Sequence, residues 1–388
     1  MSDTLDIKSI IKKHKPMLRE SSINNYVLSV NKLKKLYNIN GYTDFLRKPK
    51  TIIKQLHKLN LSKNTEKNYI SAIINVVDAL NREKIPGFCS KRFDNCVKCY
   101  RQHIFHVKGM IDAENKDRDG AMTDREKKNY ITYEDVRKVH KVYDEIVEQA
   151  DLLNITQPKT SIELDTLQKW VLTGLYSYLP PVRNEYSTLN VKNRVLNKEG
   201  QTKWIWEDGE GATKDKNYLV FYGKISMGQP PPDEDDHLDI AGCIDIQMNQ
   251  YKTSKTHGSR TLRIFPDDRC KYLEKDEYLD IPTEDVNHLY DVLRGWRDNN
   301  KNSKYLFYNK KGKQMTRNDM TKYLYRTFKI LFPNKNISSN ILRKSYHTSR
   351  EKANPIKKEY NKNKLIAESM GHTIEEAFNT YTKKDLDC

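Results

Sequence analysis

The sequence predicts a mainly helical α+β protein in two parts: a helical N-terminal domain over residues 1–115, and a mixed domain over 131–388 carrying a small antiparallel sheet. Three observations carry this. Apolar residues recur at three- and four-residue steps through the first third of the chain. Three short apolar runs between residues 218 and 265 fit strands. A length of 388 residues is enough for two domains, each burying its own core.

The helices of the first part follow from their stripes. Ser21 and Ser22 stand where a cap would, ahead of Ile23, Tyr26, Val27, Val30, Leu33 and Tyr37. A shorter helix covers Thr51–Leu59. The next starts near Asn64 and buries Tyr69, Ile73, Val76, Val77 and Leu80, and a fourth carries Phe93, Val97, Tyr100, Ile104, Val107 and Ile111. On that fourth stretch Cys96, Cys99, His103 and His106, with Cys89 nearby, imitate a zinc-site spacing. A helix rises 1.5 Å per residue, so their span is about 15 Å, whereas zinc ligands stand about 2 Å from one ion. They read as one face of a half-buried helix. The charged stretch from Asp112 leads into a linker over 116–130.

The second part opens with Thr132-Tyr-Glu-Asp135, an N-cap and first turn leading into Val136–Val147. Leu164–Tyr178 sets Leu167, Trp170, Val171, Gly174, Leu175 and Tyr178 on one side. It stops at Pro180-Pro181, which cannot continue a helix, and Arg183 follows at once. Strands are expected at Tyr218–Tyr222, Ile244–Tyr251 and Thr261–Phe265, the last two joined by Lys252-Thr-Ser-Lys255-Thr-His-Gly258. Between the first two lies Pro230-Pro-Pro-Asp-Glu-Asp-Asp236. Its carboxylates could hold a nuclease metal, but a proline-led acidic run reads as a solvated loop. Thr316 caps a helix carrying Met320, Tyr323, Leu324 and Phe328.

Charge narrows the partner. Against 52 Asp+Glu the chain sets 69 Lys+Arg, a formal charge of +17, which points to a polyanion. No apolar run approaches the ~20 residues that span a bilayer. The opening Met-Ser-Asp-Thr-Leu-Asp lacks the basic and apolar regions of a signal peptide, so an intracellular location is expected. Six cysteines (Cys89, Cys96, Cys99, Cys243, Cys270, Cys388) are too few for a disulfide scaffold. Heavy use of Lys, Asn and Ile fits an AT-rich genome such as that of a virus or mobile element.

The last fifty residues hold the sharpest pattern. Asn340-Ile-Leu-Arg343-Lys-Ser-Tyr-His347 is a helix with an arginine among apolar neighbours, and Leu365-Ile-Ala-Glu-Ser-Met-Gly371-His372 closes a second. Asn379-Thr-Tyr381 follows, its tyrosine nine residues past His372. Thr373 and Glu376 form a capping box, so a short helix starts just after His372 and places Tyr381 about two turns on. In this order, with Arg183 and the lysine hairpin upstream, the strings resemble the C-terminal signature of the tyrosine recombinases (phage-integrase family). The N-terminal helices resemble that family's core-binding domain in layout.

The resemblance implies phosphoryl transfer in double-stranded DNA with no metal, nucleotide or other cofactor, by a homo-oligomer (tetramer) whose two domains close around the duplex. Tyr381 attacks the scissile phosphodiester, giving a 3′-phosphotyrosine and a free 5′-hydroxyl. Arg183 and Arg343 hold the non-bridging oxygens and His372 adds a donor. Lys252, or else Lys255, protonates the leaving 5′-oxygen as general acid. Asn340 stands where the family has histidine, three residues before the second arginine. A second register, His347-x-x-Arg350, restores that pair 22 residues ahead of His372. Glu185 stands two residues after Arg183 where the family has three, and seven residues follow Tyr381, short for a tail that docks on a neighbouring subunit. A type IB topoisomerase, with the same chemistry in a monomer, and an inactive DNA-binding protein on the same scaffold are the alternative readings.

Overall fold

The computed structural model describes residues 6–85, 91–117, 121–196, 204–223, 241–251, 254–265, 268–353 and 370. The chain divides into two compact units, Met1–Asp119 and Gly120–Cys388.

The first unit is helical: α1 (Ile7–His14), α2 (Glu20–Leu36), α3 (Asp44–Arg47), α4 (Pro49–Lys58), α5 (Lys63–Arg82) and α6 (Lys91–Asp117). Local chemistry sets several boundaries. The Asp6 carboxylate accepts from the Lys8 and Ser9 amides at the start of α1, and Ser62 does the same for Thr65 at the start of α5. Pro49 opens α4, where its missing N–H costs nothing. Helix α2 starts one residue before the expected Ser21/Ser22 cap, which therefore lies inside its first turn. The centre of the unit is α5, whose Ile70, Ile73, Val76, Val77 and Leu80 are buried with Ile7 and Ile11, with Ile23, Val30 and Leu33, and with Phe93, Val97 and Tyr100. Each such side chain, fully buried, contributes about 1.5–3 kcal/mol relative to exposure.

Helix α6 runs unbroken past Cys96, Cys99, His103 and His106. Cys96 is buried and donates to the Leu46 carbonyl, Tyr100 donates to the Phe45 carbonyl at 2.7 Å, and His106 is exposed. The stretch read as a linker holds the end of α6 and a further helix, α7 (Asp124–Asn129), opened by a Thr123/Glu126 capping box.

The second unit packs helices on a sheet. Its helices are α8 (Tyr133–Gln149), α9 (Ser161–Tyr178), the short α10 (Ser254–His257), α11 (Thr283–Asn299), α12 (Arg317–Phe328) and α13 (Ser339–Ala353). Capping boxes Thr132/Asp135, Thr160/Glu163 and Thr316/Asp319 start α8, α9 and α12. The strands are β1 (Leu189–Leu196), β2 (Trp204–Trp206), β3 (Asn217–Tyr222), β4 (Ile244–Met248), β5 (Arg260–Ile264), β6 (Cys270–Tyr272) and β7 (Glu277–Tyr278), in sheet order β2-β1-β3-β4-β5-β6-β7.

The mainly helical α+β class is as expected, but the sheet is mixed rather than purely antiparallel, because β1 and β3 run parallel from Leu189↔Asn217 to Arg194↔Tyr222. Strand β3 is buried on both faces. Leu219 and Phe221 join the main core with Trp170, Leu175, Leu293 and Trp296, while Tyr218, Val220 and Tyr222 pack with Trp204 and Cys243. Among the described residues no helix is long and apolar enough to cross a membrane.

Candidate active site

Helix α9 ends where the prolines require it. Leu179 is extended, as a residue before proline prefers to be, and the chain turns through Arg183 into a 3-10 turn at Glu185–Thr188. Two clamps hold this loop. From the last turn of α9 the Tyr176 hydroxyl donates to the Arg183 carbonyl at 2.7 Å. On the other side, Asn184 donates to Thr321 Oγ1 at 2.7 Å and to the Arg317 carbonyl at 3.0 Å. The Arg183 side chain is half-buried and Glu185 is buried.

Helix α13 is covered on nearly every side, with Ile341 through Thr348 all buried. Ser345 donates to the Ile131 carbonyl, Lys344 pairs with Glu126, and Tyr346 meets Tyr133 edge-on at 5.1 Å. Arg343 at its centre is fully buried and donates from Nη2 to the Met370 carbonyl at 2.8 Å. Met370 itself packs with Tyr346 and immediately precedes Gly371-His372.

Tyr176 joins the two segments electrostatically. Burial pushes its phenol up, Glu185 pushes it further and Arg343 opposes them, so both charges act on this one ring. His347, one turn past Arg343, is held down at about 3 by burial and then by the Arg343 charge. Strands β4 and β5 approach the same loop. Leu179, Pro180 and Val182 share a cavity of about 30 Å³ with Met248, Arg260 and Leu262. Arg260 lies 4.1 Å over the Tyr251 ring, and Tyr251 donates to the Gly258 carbonyl at 2.8 Å. Gly258 takes φ +72°, a left-handed turn that suits glycine. A separate cavity of about 540 Å³, lined by residues including Lys159, Asn300, Lys304 and Tyr308, involves none of these side chains.

Of the expected site residues, Arg183 has its carbonyl held by the Tyr176 hydroxyl, and the Arg343 charge acts on the same ring. Asn340 is exposed on the first turn of α13, one turn before Arg343. In the second register His347 is buried, and Arg350 reaches Asp280 Oδ2 at 3.1 Å and its carbonyl at 3.2 Å. Lys252, His372 and Tyr381 lie outside the described residues, as do the acidic run 233–236, the Thr373/Glu376 capping box and the Lys255 side chain. Sequence reasoning missed Tyr176 and Arg260. Tyr176 reads as one more core aromatic, and Arg260 carried a weak signal, its place two residues past Gly258 where the lysine-bearing connection ends.

No family model and no curated protein matches the chain. Among solved structures it is similar to a XerA recombinase, with 11% identity over 99% of this chain and 95% of that one, at a TM-score of 0.34.

Proposed function

We propose that this chain is a tyrosine-type DNA strand transferase, a site-specific recombinase or integrase that cuts and rejoins double-stranded DNA through a 3′-phosphotyrosine. Tyr381 is the nucleophile, Lys252 the general acid, and Arg183, Arg343 and His372 the donors that neutralise the pentacoordinate phosphate. Asn340 supports that group from the start of α13. Neither a metal ion nor a nucleotide enters the chemistry, because the energy of the broken phosphodiester is kept in the protein–DNA bond. Exchange between two duplexes breaks four strands, so it calls for four such centres and hence a homotetramer on DNA.

The observation that carries this reading is the bond from the Arg343 guanidinium to the Met370 carbonyl. It ties the arginine of the first motif to the residue directly before the Gly-His of the second, as two motifs serving one phosphate require. A charge of +17 supplies the long-range attraction to DNA. Arg260, the first residue of β5, adds a further guanidinium beside the Arg183 loop.

The test is covalent capture. Incubation with nicked suicide duplexes of randomised sequence should yield a protein–DNA adduct that survives denaturant. Tyr381→Phe should bind DNA as tightly and give no adduct. An undiminished adduct in that variant removes the assignment, and its absence from the wild-type chain favours the inactive DNA-binding protein.

A further inference from the structure

A second polar constellation lies in the helical layer of the same unit. His140 and Asp144 are four residues apart on α8 and so share a face. His288 comes from α11. His140 Nε2 stands 3.5 Å from Asp144 Oδ1, and His288 Nε2 stands 3.2 Å from the same oxygen. Donor atoms of the three residues all lie within 4.8 Å of one another.

The hydrogen bonds around His140 fix where its proton sits. Thr173 has one hydroxyl proton, and its Oγ1 lies 2.9 Å from the Lys169 and Trp170 carbonyls, which can only accept. The Thr173 oxygen therefore accepts from His140 Nδ1 at 3.0 Å. With Nδ1 carrying the proton, a neutral His140 turns the lone pair of Nε2 toward Asp144. His140 is fully buried, and Nε2 finds no hydrogen-bond donor among the described residues. A lone pair and a carboxylate oxygen thus face each other inside the protein. Such a pair repels unless a cation lies between them, and full burial opposes a second proton on the ring.

We propose that His140, Asp144 and His288 bind a divalent transition-metal ion, zinc in the first instance, that pins α8 to α11. Two imidazoles and one carboxylate are a zinc donor set, and metal–ligand bonds of 2.0–2.1 Å in a tetrahedron set ligand–ligand edges of about 3.3–3.4 Å. The two His–Asp separations bracket that edge. An outer layer is also in place. The Trp170 indole N–H holds the Asp144 oxygen and Thr173 holds His140 Nδ1, the kind of support that orients metal ligands. Asp285 and Asp291 add negative field at His288, while the nearby Arg137 charge is committed to a two-pronged pair with Asp285. The His288 side chain is 42% exposed and that of Asp144 27%, so the ion has a route in and a fourth position for water.

The contrast with His57, Glu66 and His103 in the first unit is instructive. There one buried carboxylate oxygen lies 2.6 Å from His103 Nε2 and 3.3 Å from His57 Nδ1. Among the described residues no neighbouring hydroxyl fixes the ring protons there as Thr173 does for His140, so nothing in that group forces a lone pair toward the oxygen.

The test uses the full chain, stripped with EDTA and returned to buffer, with zinc or cobalt(II) as probe. The expected result is one equivalent of cobalt bound with the visible absorption of a four-coordinate site and no sulfur-to-cobalt charge transfer. Zinc should displace it, and the melting temperature should rise with zinc concentration. His288→Gln, at a half-exposed position, should fold as judged by circular dichroism and lose both effects, while His57→Gln should keep both. No binding by the wild-type chain, thiolate-type spectra, or undiminished binding by His288→Gln would overturn the proposal. Each readout is independent of strand cleavage, so it stands or falls apart from the assignment of Tyr381.

Discussion

Arg343 and Arg350 are seven residues apart on one helix and live in opposite surroundings. Seven residues are close to two turns, so both project from nearly the same side of α13. The difference comes from what the helix passes. Near its start it runs beneath Met370 and Tyr133, and Arg343 has no exposed surface. Two turns on it reaches the edge, where Arg350 pairs with a half-exposed Asp280. A guanidinium taken wholly out of water costs several kcal/mol before its partners compensate. A surface ion pair is worth about 0–1 kcal/mol. A fold that keeps the first kind of charge does so against its own stability, and such positions concentrate at functional sites.

The largest expected effect tests that contrast directly. Arg343→Ala should lower adduct formation by about 10²–10³-fold, the usual consequence of removing one donor from a developing oxyanion. Arg343→Lys should recover only part of it, since an ammonium cannot bind in a planar fork. Arg350→Ala should keep the adduct within a few-fold. If a folded Arg343→Ala protein is fully active and Arg350→Ala is dead, the His347–Arg350 register is the right one.

A pH series sharpens the same comparison. Folding holds His347 at about 3 and His140 at about 4, in each case through burial first, whereas an unfolded histidine titrates near 6.5. Between those values the unfolded chain binds protons that the folded chain refuses. The stabilisation is therefore complete above about pH 6.5 and is lost as the pH falls toward 4, at about 1.4 kcal/mol per pH unit for each residue. His288, raised by Asp144, acts in the opposite sense, its contribution fading as pH rises through its folded value. Thermal melts of the metal-free chain from pH 7 downward should show a falling midpoint. In Arg343→Ala the fall should level off at a higher pH, because one of the two causes holding His347 down is gone. A fall that ends at the same pH would mean that the arginine charge does not reach the imidazole.

How much of this could be read from the chain alone follows element by element. Helices with a hydroxyl cap three residues before an acid, such as those opened by Thr132 and Thr316, were legible because the cap and stripe are local. The strand at Asn217–Tyr222 was legible as an apolar run. Strand β1 was not, since Asn193 stands where its alternation calls for an apolar residue, and it is held by a parallel partner more than twenty residues away. Helix α11 escaped notice although Val286, Leu289, Tyr290, Leu293 and Trp296 keep the helical step, and beside that stripe Asp285 and Asp291 are the charges around the His140–Asp144–His288 cluster. Within the site, the order of Arg183, Arg343 and Gly371-His372 was visible in sequence. The burial of Arg343 and the role of Tyr176 were not, because helix α13 is covered by partners as distant in sequence as Ile131, and Tyr176 acts through a backbone carbonyl that no residue type marks.

Two smaller effects remain on α13. Asn340→His restores the family's imidazole three residues before Arg343. Since Asn340 is exposed, the change should fold without loss, and it should speed adduct formation if that position faces the phosphate, because an amide cannot take the phenol's proton at neutral pH. A rate unchanged within two-fold would show that Asn340 serves only the helix. The last and smallest effect belongs to the Arg350–Asp280 pair. Its partners are 25% and 54% exposed, so water and salt screen the attraction, and Asp280→Asn should shift stability by no more than about 1 kcal/mol. Any shift should shrink further as salt is raised. A loss of several kcal/mol, or a loss of adduct, would show that Arg350 depends on Asp280 for more than a surface contact. The two ends of α13 would then no longer differ in the way their burial implies.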